Sequence, residues 1–147
     1  MYKNILIPTD GSALSRAAIT AGVRLAGSLG ARVTGLYAAP PATPLVYRNM
    51  LPVGLTTTRH STAMIAKAAE RHLDVIRRAA KVAGVACECV TITSDFPADT
   101  ILATAKKHKC DLIFIASHGR RGLRGLLLGS ETQKVLAKAG IPVLVHR

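Results

Sequence analysis

Tryptophan is absent from this chain, and three tyrosines and two phenylalanines are all the aromatic residues it has. Flat stacking platforms for single-stranded nucleic acid are therefore scarce. Acidic side chains are also few, 8 against 20 lysines and arginines, so the formal net charge is +12. This excess favours anionic partners, and without interleaved aromatics it points toward phosphate and makes nucleic acid an unlikely partner. The three cysteines (Cys87, Cys89 and Cys110) are too few for a secreted disulfide framework, and no CxxC spacing marks a structural zinc. They read as buried thiols. No apolar run approaches the ~18–20 residues of a membrane span. The opening Met1-Tyr2-Lys3-Asn4-Ile5-Leu6-Ile7-Pro8 enters a strand-like run without an apolar leader. A cytoplasmic protein with no membrane partner is the expectation.

What is present suffices for a core. Nearly half of the 147 residues are hydrophobic, enough to offset chain entropy in one domain spanning residues 1–147. Ile5-Leu6-Ile7 reads as a buried strand ended by the turn Pro8-Thr9-Asp10-Gly11-Ser12. With Ser12 as N-cap, helical spacing runs from Ala13 to Leu29 and stops at Gly30. A second strand spans Ala31 to Ala38. Residues Ala39 to about Ser61 hold four prolines and no periodicity, a long loop that has the composition of a lid. A helix from Thr62 to Val82 ends at Gly84. A strand from Ala86 to Thr93 puts Cys87 and Cys89 on one face, because side chains repeat every second residue.

A further helix starts at Ser94-Asp95-Phe96-Pro97-Ala98 and closes on Lys106, Lys107 and Lys109, cations that complement its dipole. Asp111 to Ala116 is the clearest buried strand. After a glycine-rich loop come a helix from about Ser130 to Ala139 and a last strand, Ile141 to Val145. Strict alternation of strand and helix predicts an α/β, doubly wound parallel sheet of Rossmann-like type, with helices on both faces. Ligands in such sheets bind at the carboxyl ends of the strands, at the switch point.

Two segments at strand ends carry chemistry. In Ala116-Ser117-His118-Gly119-Arg120-Arg121-Gly122-Leu123-Arg124-Gly125-Leu126-Leu127-Leu128-Gly129-Ser130, the glycines permit close approach to a polyphosphate. The helix start offers free N–H groups, Ser130 a hydroxyl at the expected N-cap, and three arginines positive charge. A purely structural loop is the alternative. The segment contains no G-x-x-x-x-G-K-[ST] string, and no G-x-G-x-x-G follows the first strand, so neither a Walker A loop nor a nicotinamide domain fits. In the other segment, Asp10 can accept from a ribose hydroxyl or hold Mg²⁺ beside phosphates; the alternative is an Asx turn or a competing N-cap. His118 reads as a structural or surface residue, and the other histidines carry no functional assignment.

These strings resemble the universal stress proteins, whose nucleotide-binding subfamily has G-x2-G-x9-G-[ST] after the fourth strand. Here Gly119 is followed by nine residues and then Gly129-Ser130, while Ala116 stands at the first glycine. The resemblance extends over nearly the whole chain, including Ile5 to Ser12, Ser117 to Arg120 and Ile141 to Val145. It implies a five-stranded sheet of order 3-2-1-4-5, a homodimer joined through the last strand, and ATP or another adenine nucleotide, with Mg²⁺, between strands 1 and 4. Carried over, Pro8, Thr9 and Asp10 flank the adenosine, with Asp10 as the metal ligand, and Ala38 offers backbone groups to the adenine. Ala116 and Ser117 line the ribose, while Gly119, Arg120, Gly122, Gly129, Ser130 and Glu131 surround the phosphates.

A regulatory module that binds nucleotide and hydrolyses it slowly or not at all is the leading reading, because no water-orienting residue accompanies the arginines. A second reading is an interaction protein of the same fold that binds no nucleotide, for which Ala116 speaks. A receiver domain is disfavoured because Asp10 has no adjacent carboxylate.

Overall fold

The computed structural model describes residues 1–42, 50, 59–119 and 128–147. Its strands are β1 (Asn4–Thr9), β2 (Arg32–Ala39), β3 (Cys87–Thr93), β4 (Leu112–Ala116) and β5 (Val143–His146). The helices between them, among the described residues, are α1 (Ala13–Leu29), α2 (Arg59–Val82), α3 (Pro97–Lys107) and α4 (Ser130–Lys138). The five strands form one sheet in the order β3-β2-β1-β4-β5, and every pairing is parallel.

Alternation along the central strands divides the core into two layers. Ile5 and Ile7 of β1, with Leu112, Phe114 and Ala116 of β4, pack under α1 and α2 against Ile19, Val23, Leu73 and Ile76. Leu6, Ile113 and Ile115 face the other way, toward Ile101 and Ala105 of α3 and Val135 of α4. Leu6, Ile7 and Ile113 are fully buried. Such strands read as unbroken apolar runs because both faces are covered.

Element ends obey local chemistry. The Ser12 hydroxyl caps α1 by accepting from the Ser15 amide at 3.1 Å, and Gly30 closes that helix in the left-handed conformation at φ 64°. Several boundaries differ from the sequence expectation. The second strand is shifted by one residue, α2 starts at Arg59 instead of Thr62, and the last strand begins at Val143. Pro142 still contributes its carbonyl, which accepts from the Ile113 amide at 3.0 Å. Of the three cysteines only Cys110 is buried; Cys87 and Cys89 are partly exposed. The lid assigned to Ala39 through Ser61 lies largely outside the described residues. Among the described residues, no helix is long and apolar enough to cross a membrane.

Candidate functional site

The sheet opens where the topology reverses. β1 runs alongside β2 over its whole length, Asn4↔Arg32 through Thr9↔Tyr37, whereas its register with β4 covers only Ile5↔Leu112 and Leu6↔Ile113. The chain itself supplies a reason. The Arg32 amide donates to the Lys3 carbonyl and the Asp111 amide to the Asn4 carbonyl. Odd-numbered residues of β1 thus address β2 and even-numbered ones address β4. Pro8 stands on the β4 side with no N–H to donate, so the ladder cannot continue there. Beyond Leu6 the register between the two strands ends, and the segments following them face each other as two lips of the sheet's switch point.

The β1 lip is held by short-range hydrogen bonds. Thr9 Oγ1 and Ser15 Oγ lie 2.7 Å apart, both buried, and the Gly11 amide donates to Thr9 Oγ1 at 3.1 Å. Asp10 Oδ1 accepts from the Ser12 amide at 2.9 Å, which is an Asx turn. The alternative reading of Asp10 is thus realised with one oxygen, and the other oxygen is directed across the switch point. A methyl group built on Gly119 would fall on Asp10 Oδ2. The carboxylate from the first strand therefore faces the backbone that leaves the fourth, and Gly119 permits that approach.

The β4 lip is tied to the start of α4. The Gly129 amide donates to the Ser117 carbonyl at 2.8 Å, and Thr132 Oγ1 donates to the Ala116 carbonyl at 3.0 Å. Ser117 is buried, with its hydroxyl 3.1 Å from His118 Nδ1. A Cβ on Gly129 would lie 3.1 Å from His118 Cα, a tight contact that His118 would have to yield to. The Ala116 methyl joins the core beneath α1 and α2, and the residue is only 8% exposed. The departure from the family pattern thus adds bulk to the interior.

The structure revises three assignments. Gly129, not Ser130, is the N-cap of α4, and Ser130 is the first helical residue. Because the Gly129 N–H is already taken by Ser117, the amides ahead of the first intrahelical bond (Gln133 to Gly129) are those of Ser130, Glu131 and Thr132. The Glu131 side chain turns to the neighbouring helix: Oε2 accepts from the Ala98 amide at 2.9 Å and Oε1 pairs with Lys134 at 2.9 Å. It caps α3, which has no side-chain cap of its own, so only the Glu131 backbone stands with the amides at the start of α4. Pro8, Thr9, Asp10, Ser117 and Gly119 are brought together. Ala38 lies at the same end of the sheet, paired with Ile92. Arg120 and Gly122 lie outside the described residues.

One neighbour of the site escaped the sequence reading. Gly11 adopts φ +80°, and a side chain there would collide with the imidazole of His72 on α2. That ring also lies against Tyr37, centroids 5.0 Å apart and planes at 52°. The signal was present in the spacing, since Ala69, Leu73 and Ile76 point α2 at the sheet and His72 falls on the same side.

A doubly wound parallel sheet, parted at its switch point between a carboxylate and a helix start, defines the open α/β class, in which ligands bind where the strand order reverses. Comparison with known proteins sharpens that class. The model of the universal stress protein family matches residues 1–147, and the chain belongs to this family. It is 32% identical over 145 residues to universal stress protein MJ0531 of Methanocaldococcus jannaschii, covering 99% of this chain and 82% of that protein. It is 31% identical to a universal stress protein of Thermus aquaticus along the full length of both. Among solved structures, a universal stress protein in complex with cAMP superposes with a TM-score of 0.70 at 22% identity, covering 99% of this chain and 97% of the other. One from Archaeoglobus fulgidus in complex with dAMP gives 0.66 at 20% identity, covering 99% and 98%.

Proposed function

We propose that this universal stress protein binds an adenine nucleotide in the crevice between β1 and β4, with ATP as the favoured ligand, and acts as a cytoplasmic regulatory module. The observation that carries the reading is the Asp10 carboxylate set against the Gly119 backbone at the point where the strands part. Two structural neighbours captured with cAMP and dAMP support the adenine nucleotide class. Phosphates would meet the amides of Ser130, Glu131 and Thr132 and the Ser130 hydroxyl, where the helix dipole favours negative charge. The Ala38 backbone would meet the adenine. Among the described residues no group of three or more His, Cys, Asp or Glu side chains could hold a metal. Mg²⁺ would therefore be shared between Asp10 and the nucleotide's own phosphates, the usual arrangement for this ion.

The test is mass spectrometry of small molecules released from the purified protein, followed by titration calorimetry with Mg-ATP. Saturable binding that weakens in Gly119→Val is the expected result. No adenine nucleotide and no saturation at millimolar ligand would transfer support to the second reading, an interaction protein that binds no nucleotide. Gly129, whose replacement would strain the contact with His118, is the poorer site for this test.

The same proposal includes a homodimer through β5, the edge strand next to β4. Leu144 on that strand is 38% exposed. Beside it an apolar hollow of about 420 Å³ is lined by Tyr2, Leu25, Leu29, Leu112, Val143 and others. A strand with no outer neighbour among the described residues and an apolar flank invites pairing with a copy of itself. Sedimentation equilibrium should show a dimer that Leu144→Lys dissociates; a monomeric parent chain would remove this part of the proposal.

A further inference from the structure

The turn that aims Asp10 is centred on a residue with little conformational restraint of its own. Gly11 is the middle residue of the Asx turn that the Ser12 amide closes on Asp10 Oδ1, and it stands at φ +80°. Without a Cβ, glycine enters that region and leaves it at almost no steric cost. The direction of the carboxylate therefore depends on what surrounds Gly11.

On the α1 side the surroundings are hydrogen bonds. Arg16 Nη1 donates to the Gly11 carbonyl at 2.8 Å, and the Gly11 amide donates to Thr9 Oγ1 at 3.1 Å. Arg16 is exposed, so water competes for its bond. On the α2 side the restraint is a ring. Cε1, Nδ1 and Nε2 of His72 all crowd the position that a Cβ on Gly11 would take. Tyr37, buried and paired with Thr9 in the sheet, lies against the imidazole and limits its retreat. Ala69, Leu73 and Ile76, buried in the core, hold α2 itself against the sheet.

We propose that His72 is a positioning residue for the nucleotide site: its imidazole, braced by Tyr37, backs the Gly11 turn and keeps Asp10 Oδ2 directed at the Gly119 backbone. This role rests on the nucleotide reading of the site and adds to it a side chain from α2. His72 acts through Asp10 and needs no contact with the ligand. Ordering the carboxylate before the ligand arrives removes that ordering cost from binding. The role is steric, so the two partners should be non-additive, as residues in direct contact are. Truncating the ring and adding a methyl to Gly11 each disturb the turn. Together they compensate in part, because the methyl enters space that the ring has left, while the strain of alanine at positive φ remains.

The experiment makes two measurements on the full chain: titration calorimetry with Mg-ATP, and amide hydrogen exchange of Ser12, whose N–H closes the turn on Asp10. The amide of fully buried Ile113, bonded to the Pro142 carbonyl, is the reference for global opening. In His72→Ala, Ser12 should exchange roughly tenfold faster relative to Ile113, and Mg-ATP should bind roughly tenfold more weakly. Gly11→Ala should move both quantities the same way, and adding His72→Ala to Gly11→Ala should recover part of both losses. A histidine that serves only the core would speed Ser12 and Ile113 alike and leave affinity at the parent value. That result overturns the proposal, as does a double variant in which the two losses simply add. The nucleotide reading fails separately: a parent chain that binds no Mg-ATP ends it, and the role of His72 in it. Unchanged Ser12 exchange in His72→Ala, with Mg-ATP binding by the parent intact, ends the positioning role alone.

Discussion

The two ends of the sheet are built on opposite plans. At the amino ends of the strands, polar groups are latched to one another across elements. Asp111 accepts from the Lys3 amide at 2.8 Å and the Asn4 amide at 3.0 Å, and Asn4 Nδ2 donates to the His108 carbonyl. Thr34 donates to Asn4 Oδ1, while Glu88 binds His108 and Arg32. At the carboxyl ends, the hydrogen bonds seen among the described residues run within the β1 turn or tie the end of β4 to α4 and β5, and the lips meet where Asp10 approaches Gly119. One end therefore joins elements and contributes stability; the other holds the seam to which the proposal assigns the nucleotide. Substitutions at the two ends should separate these properties.

The largest effect is expected at the seam. Gly119 has no left-handed backbone requirement, yet any Cβ there meets the Asp10 carboxylate. Gly119→Val should lower nucleotide affinity about a hundredfold, roughly 2.8 kcal/mol, with the urea midpoint almost unchanged. Titration calorimetry beside chemical denaturation reads both quantities. At the other end the signs reverse. Asp111→Ala leaves the Lys3 and Asn4 amides without their carboxylate partner, and loss of such charge-assisted bonds costs about 1–2 kcal/mol. Denaturation should detect that loss while nucleotide affinity stays at the parent value. If Asp111→Ala weakened binding as much as Gly119→Val did, the division of labour between the ends would be wrong.

How far this arrangement was legible in the sequence depends on the physical signal at each position. Ile5-Leu6-Ile7 and Leu112 to Ala116 announced themselves because strands covered on both faces carry no polar alternation, and the 3-2-1-4-5 order followed from the family resemblance. The start of α2 at Arg59 was hidden because Arg59, His60 and Ser61 supply no apolar periodicity. The cap of α4 was misplaced by the general preference for serine, whereas Gly129 holds that position in tight contact with His118. Glu131 looked like a phosphate neighbour by position in the chain, but its partner, the Ala98 amide, is 33 residues away and belongs to another helix. His72 and Gly11 met only through tertiary packing. Pro8 was visible as a turn signal, but its consequence for the β1–β4 ladder needed the direction of each peptide group, which composition does not encode.

The smallest expected effect concerns the latched end alone. A hydrogen bond from His108, at 2.8 Å from Nδ1 to Glu88 Oε1, holds the Glu88 carboxyl below its ordinary value; Arg32 adds to that lowering and partial burial opposes it. A carboxylate depressed on folding stabilises the native state above its unfolded value of about 4.5, and that contribution disappears as pH falls through the lower folded value. Glu88→Gln should therefore be less stable than the parent at pH 6, and the two should converge as pH falls from about 4.5 through the lowered folded value. Glu88 is 42% exposed, so solvent screens the interaction and the difference at pH 6 should stay within ~0.2–1 kcal/mol. Chemical denaturation at each pH measures it. A gap that persisted undiminished into acid would mean that Glu88 acts there through packing and its bond to Thr34. Nucleotide affinity measured at pH 6 should be the same in the variant and the parent, because the crevice stands at the opposite ends of the strands.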